Sequence, residues 1–440
     1  MKKFSLWLIA VCSTLYVTSA HAGMVPKRSV LSNGLVLLTS EQRALPMVSI
    51  ELLIDAGSRY DGANQEGLAN LTSKLLTYGT KRRTAVQISE TLDFIGAGLE
   101  AGSGQDVASI SMTVLKKDLA TGLELFADVL TASTFPQVEI DRQKQEIIAS
   151  LKAMEEDPGA VAQRTFAAAL FPGSPYGRLV EGTEASVKSL QQKSLKEFYA
   201  RYYRPNRSIM AVVGDVSEQE ISQALNQAFR GWSKGEPSSQ PLVPAKIGAP
   251  QALRVTRDLT QANIIMGHNG VPRGNPDYYA IQVMNYILGG GGFSSRVMDS
   301  IRNERGLAYS VYSYFSAEKS HGSFQFIMQT KNETAQEAIR LANEEIQRIR
   351  EQPVTEQELN DAKDYLIGSF PLRFDTNRKV ANFLAQVEFF QLGLDYPERY
   401  GDLIRKISGA DVQRVAKQYL QPEKLITVTV GNQQKIGEKK

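Results

Sequence analysis

Histidine and cysteine are scarce in this chain: its 440 residues include three histidines and one cysteine. The cysteine, Cys12, belongs to the opening "MKKFSLWLIAVCSTLYVTSAHAG". Lys2 and Lys3 start that stretch, Phe4 to Val17 is apolar, and Ala20-His21-Ala22 is a small-x-small cleavage site. The pattern predicts a secretory signal peptide over residues 1–22. Beyond it no cysteine remains, which excludes disulfides and thiolate metal sites. His268 and His321 are then the only imidazoles left. No later apolar run reaches the roughly 20 residues of a membrane-spanning helix. An excess of one charge is also lacking. Without the two leader lysines, 48 basic residues face 47 acidic ones, about +1, which argues against nucleic acid as the main partner. The leader reads as bacterial, so the expected location is the periplasm or outside the cell.

What is present is a repeat. Pro237, Pro241, Pro244 and Pro250 mark residues 232–252 as a linker that divides the mature chain nearly in half. "VKSLQQKSLKEFYARYYRPNRSIMAVVGD" (187–215) then aligns without a gap on "IRKISGADVQRVAKQYLQPEKLITVTVGN" (404–432). Tyr202 meets Tyr419, Pro205 meets Pro422 and Gly214 meets Gly431, all at an offset of 217. Each copy reads as an amphipathic helix, a Tyr-x-x-Pro turn and a β-branched strand. Residues 113–145 and 328–364 share a looser order of strand, long helix, proline and acidic helix start. Strands at 48–57 and 262–271 are expected to begin the halves. The fold class is α+β: two tandem homologous α/β units, each a largely antiparallel sheet with helices packed on one face. The units span 28–231 and 253–432, and 433–440 forms a basic tail.

The richest run is "NYILGGGGFSSRVMDSIRNERGLAYSVYSYF" (285–315). Gly289 to Gly292 predict a flexible turn between helices. They are a poor phosphate loop, because no Gly-Lys-Ser/Thr follows and a helix, not a strand, precedes. Arg296, Arg302 and Arg305 lie on the next helix, ahead of a Tyr-rich strand. Each arginine suits a solvated helix face, but the cluster also suits an anionic or carbonyl group.

This run closely resembles the second-half signature of the pitrilysin/insulinase family of zinc peptidases, which includes the mitochondrial processing peptidase. "LSNGLVLL" (31–38), "DAGSRYDGANQEGLANL" (55–71), "PYGRLVEGT" (175–183) and "YYRPNRSIMAVVGD" (202–215) resemble its first-half landmarks in order. The family's zinc site is His-x-x-Glu-His on one helix face, with the Glu activating the metal-bound water. The resemblance places that helix at "GLANLTSKLLTYGT" (67–80), where the histidines become Asn70 and Lys74 and the Glu becomes Ser73. The third ligand falls on Ser150, and an acidic position one register earlier on Gln143. An amide is a feeble zinc ligand, a hydroxyl is no carboxylate base, and a lysine brings an ammonium to the place of a dication. Ser73 and Lys74 do not make a nucleophile–base pair, since adjacent helix positions point about 100° apart. His268, in a strand, and His321, in a turn, are expected to be structural. No metal is expected in this chain.

By the same resemblance, Arg302 and Tyr309 match an Arg/Tyr pair that reaches across to the catalytic half and stabilises charge on the attacked carbonyl. The alternative is that they pack a helix–strand junction. Gly98, Leu99, Glu100, Ala101, Gly102 and Ser103 match an edge strand that pairs with substrate backbone, although an ordinary Gly-kinked edge strand reads alike. The resemblance implies a non-catalytic subunit that pairs with a zinc-bearing homologue and handles peptides or unfolded proteins. A non-enzymatic scaffold or peptide-binding protein is the second expectation.

Overall fold

The computed structural model describes residues 26–236 and 246–437. The expected signal peptide, the middle of the expected linker (237–245) and the last three residues of the tail lie outside the described residues.

The first sheet contains β1 (Lys27–Val30), β2 (Val36–Glu41), β3 (Met47–Ile54), β4 (Gly98–Ser103), β5 (Ala108–Leu115) and β6 (Ser208–Gly214), in the spatial order β1-β2-β6-β3-β5-β4. The second contains β7 (Gln251–Thr256), β8 (Gln261–Asn269), β9 (Ala308–Ala317), β10 (Gly322–Lys331) and β11 (Ile426–Gly431), in the order β7-β11-β8-β10-β9. Superimposing the orders matches β2 with β7, β6 with β11, β3 with β8, β5 with β10 and β4 with β9. Pairing directions match as well: β2–β6 and β7–β11 are parallel, and every other pair is antiparallel. The strands read at 48–57 and 262–271 are β3 and β8. They do not begin the halves, because β1, β2 and β7 precede them.

The gapless repeat is helix Gln192–Tyr202, a turn at Pro205–Arg207 and β6 in the first half. In the second it is helix Gly409–Tyr419, a turn at Pro422–Lys424 and β11. The period-2 pattern of β5 sends Ala108, Ile110, Met112 and Val114 into the first core. Both ends of the linker segment are folded: Trp232 is buried, its indole N–H donating to the Tyr203 carbonyl (2.9 Å), and Gln251 opens β7. In the tail segment, helix Gln433–Gly437 seats Ile436 in the second core.

The large helical layers cover one face of each sheet. The other face receives a single helix from the opposite half, which the sequence reading did not anticipate. Helix Pro158–Leu170 places Val161, Ala162, Phe166 and Leu170 on Ile265, Val428 and Val430 of the second sheet. Helix Asn377–Phe389 places Val380, Ala381, Leu384 and Ala385 on Leu38, Leu53, Ala211 and Val213 of the first. This reciprocal exchange explains why β3 is buried almost end to end. Burying such Leu or Val side chains stabilises by about 1.5–3 kcal/mol each.

Candidate functional site

Helix Leu68–Leu75 occupies the first half of the expected 67–80 segment, entered through Gly67 in the left-handed region (φ +94°). A Cβ at Gly67 would stand 2.5 Å from the Glu181 carbonyl oxygen, so glycine is required there. Asp61 fixes the helix entry: its carboxylate accepts the Gly67 and Ala69 N–H groups, both at 2.9 Å. This is a side-chain cap supplied from several residues upstream. Burial pushes the Asp61 carboxyl up to about 7, against the pull of those N–H groups. Asp61 was not singled out from the sequence, because it stands six residues before Gly67 and outside the usual capping spacing.

The four positions of the expected zinc site do not fit a zinc ion. Asn70 is buried, and its Nδ2 has no hydrogen-bond acceptor. Ser73 is fully buried, and its hydroxyl donates to the Asn70 carbonyl at 2.9 Å, a bond within the helix. Lys74 and Ser150 are exposed. The exposed Lys74 ammonium keeps its hydration. Gln143, on helix Gln137–Glu156, is buried and donates to Glu146 at 2.7 Å. Among the described residues no group of three histidine, cysteine, aspartate or glutamate side chains is placed to hold a metal.

The histidines are used in packing. His268 is buried in β8; its Nδ1 pairs with the Asn269 carbonyl (2.7 Å) and its Nε2 accepts the Gln421 N–H (3.1 Å), which fixes the tautomer with hydrogen on Nδ1. Burial lowers its pKa. His321 stacks on Tyr176, ring centroids 3.7 Å apart, and edges onto Phe171, so it joins the two halves.

The structure separates the three arginines. Arg296 forms a two-point ion pair with Glu358 (2.6 and 2.9 Å), whose carboxyl is held at about 2 by that guanidinium and the Thr355 N–H in spite of burial. Arg305 donates to the Ser300 carbonyl (2.9 Å). Arg302 lies in a wide helical turn, Met298–Asn303, with its guanidinium carbon 4.9 Å from the Phe293 ring centroid and 5.3 Å from that of Tyr309. Tyr309, at the start of β9, is 77% exposed. Arg302 and Tyr309 therefore meet as one cation–aromatic unit on the surface. Among the described residues the partners of Arg302 are Met298, Phe293 and Tyr309, none of them on helix Leu68–Leu75.

Of the turn expected at Gly289 to Gly292, only the second half is one: Gly291 leaves the helix and Gly292 takes a left-handed backbone (φ +57°). Tyr286–Gly290 continues helix Tyr278–Asn285 as a widened turn. A Cβ at Gly289 would lie 2.7 Å from the Ser313 nitrogen of β9, so this glycine admits a close backbone approach. Asn285 locks the same junction through the Ser313 carbonyl and hydroxyl (3.1 and 2.8 Å).

β4 is the edge strand of its sheet, paired only with β5 among the described residues. Leu99 and Ala101 pack on the first core, beneath helix Leu68–Leu75, while Glu100 and Gly102 face the opposite side with Ser111 and Ser109.

Two family models match the chain: Insulinase (Peptidase family M16) over residues 36–184 and Peptidase M16 inactive domain over 189–366. The chain belongs to the M16 peptidase family. An uncharacterized zinc protease of Streptomyces coelicolor is 27% identical over 92% of this chain and 89% of its own length. A non-peptidase homolog, YmxG, of Helicobacter pylori is 26% identical over 99% of this chain and all of its own. The solved peptidase M16 inactive domain from Pseudomonas fluorescens has a TM-score of 0.88 and 27% identity, covering 93% of this chain and 98% of that one. Within M16, this chain fits a non-catalytic role. No helix among the described residues is long and apolar enough to cross a membrane.

Proposed function

We propose that this chain is an exported, non-catalytic M16 subunit that pairs with a separate zinc-bearing homologue and lends it Arg302 and Tyr309. The pair cleaves peptides or unfolded proteins, with the metal chemistry on the partner. One contrast carries the reading: the helix of the first half offers an amide and a self-bonded hydroxyl, while the second half presents a half-buried guanidinium beside an exposed phenol. Both are hydrogen-bond donors suited to an oxyanion developing on the attacked carbonyl. The β4 edge would hold the peptide backbone in extended form.

Affinity capture of the chain from a bacterial envelope extract tests the pairing. An M16 protein with an intact His-x-x-Glu-His motif should come with it; recovery only as a monomer or homodimer contradicts the proposal. A second reading, a scaffold or peptide-binding protein that supplies no catalytic group, rests on the rings of Phe293 and Tyr309 already occupying the Arg302 guanidinium.

A further inference from the structure

A cavity of about 630 Å³ lies on the face of β4 opposite helix Leu68–Leu75, where helix Asn377–Phe389 of the other half crosses the sheet. Its floor is a cross-strand row of polar groups: Glu51 of β3 pairs in register with Ser111 of β5, and Ser111 with Glu100 of β4. Ser109 and Gly102 form the adjacent row. Its wall is cationic, with Arg373, Arg378 and Lys379. Arg378 is tied to Glu100, and Lys379 to Asp375 at 2.8 Å. Arg373 has no carboxylate within ion-pair distance among the described residues and leans instead on the Phe370 and Tyr400 rings (5.5 and 5.8 Å). The N-terminus of the 13-residue helix Asn377–Phe389, capped by Thr376, adds partial positive charge to the same wall. Burial pushes the Glu51 carboxyl up to about 7, which reduces its negative contribution near neutral pH.

The glycines of β4 point the same way. Neither Gly98 nor Gly102 has a left-handed backbone, and a Cβ on either would meet nothing within 4 Å. The chain's own packing therefore does not require them, and they leave space along an edge whose outer side has no strand among the described residues. A peptide added to that edge would send alternate side chains to opposite faces of the sheet. One set meets helix Leu68–Leu75, and the other set enters the cavity.

We propose that this cavity is a selectivity pocket for a carboxylate on a peptide lying along β4, with Arg373 as its free cation. The proposal rests on the reading of β4 as the peptide edge. It gives the second half a share in choosing the peptide, since Arg373, on the turn Phe370–Phe374 just ahead of the exchanged helix, and Arg378 and Lys379, on that helix, all line the cavity.

Fluorescence anisotropy with the full chain tests this, using two extended decapeptides that carry Glu or Gln at alternate positions. The Glu peptide should bind about tenfold tighter, in keeping with a charge-assisted hydrogen bond in a half-enclosed site. Arg373→Gln should erase the difference between the two peptides. Capping the peptide C-terminus as an amide separates the sources. If the two peptides bind equally and amidation weakens both in the wild type but not in Arg373→Gln, the bound carboxylate is the terminal one. Equal binding that neither amidation nor Arg373→Gln changes overturns the cavity and leaves the β4 edge standing. If neither peptide binds, the edge reading fails and the cavity proposal falls with it.

Discussion

The two halves share a strand order, one parallel pair and a helical layer, yet their edges differ in kind. β4 is built from small residues, Gly98, Ala101, Gly102 and Ser103, and its neighbouring helix carries Asn70 and Ser73. β9, its counterpart, is ten residues long and carries Tyr309, Tyr312 and Tyr314, next to the wide turn that bears Arg302. Duplication kept the scaffold in both copies, and the side chains at the sheet edges then diverged. The first edge is small and open on its outer side among the described residues, whereas the second is rich in tyrosine. Neither half holds a complete set of peptidase groups. The exchanged helices make the halves structurally interdependent all the same.

Rebuilding the first half gives the largest expected effect. The fourfold change Asn70→His, Ser73→Glu, Lys74→His and Ser150→Glu should bind one zinc per chain after dialysis, by elemental analysis, against none for the wild type. Failure to bind zinc would mean that helix Leu68–Leu75 and Ser150 do not stand where the family's ligands stand. Next comes the exchange. Phe166→Ala, which empties a fully buried site on the second sheet, should cost about 3–5 kcal/mol in chemical denaturation. Leu384→Ala, on the first sheet, should cost about 2–4 kcal/mol. A cost near zero for either would mean that the helix is not anchored across the halves.

The pH dependence of Glu51 is smaller. Its folded value, about 7, lies above the ordinary carboxyl value of 4.5. The folded state therefore holds a proton that the unfolded chain has released, and this stability is full below the unfolded value and lost as pH rises through about 7. Glu51→Gln removes that slope and should gain about 2 kcal/mol relative to wild type between pH 5 and pH 8. A parallel pH dependence in the two proteins would contradict this. The smallest effect is Asp61→Ala, which deprives the Gly67 and Ala69 N–H groups of their acceptor and should lower stability by about 1 kcal/mol.

Much of the fold was legible because the repeat is gapless where helix, turn and strand form one packed unit. Tyr202 and Tyr419 sit in register because each ends the helix that precedes the β6 or β11 strand. The exchanged helices were not legible. Helix Asn377–Phe389 has an ordinary amphipathic pattern, and nothing in its letters says which sheet its apolar face meets. The site was legible in part. The absence of ligands at Asn70 and Ser73 follows from residue chemistry, whereas the exposure of Lys74 depends on the orientation of the helix. Glu51 passed unnoticed because a lone carboxylate in a strand reads as a solvent-facing residue, and only the crossing helix buries it.

The central claim is that the chain acts through Arg302 and Tyr309 on a partner's site. Turnover of an unfolded peptide by the reconstituted complex tests it most directly, comparing wild type with Arg302→Ala and Tyr309→Phe at matched assembly by size-exclusion chromatography. Loss of an oxyanion donor predicts that turnover falls about 100-fold in either variant while the complex stays intact. Unchanged turnover in an intact complex would contradict the account and leave the pair as a packing feature of the β9 junction.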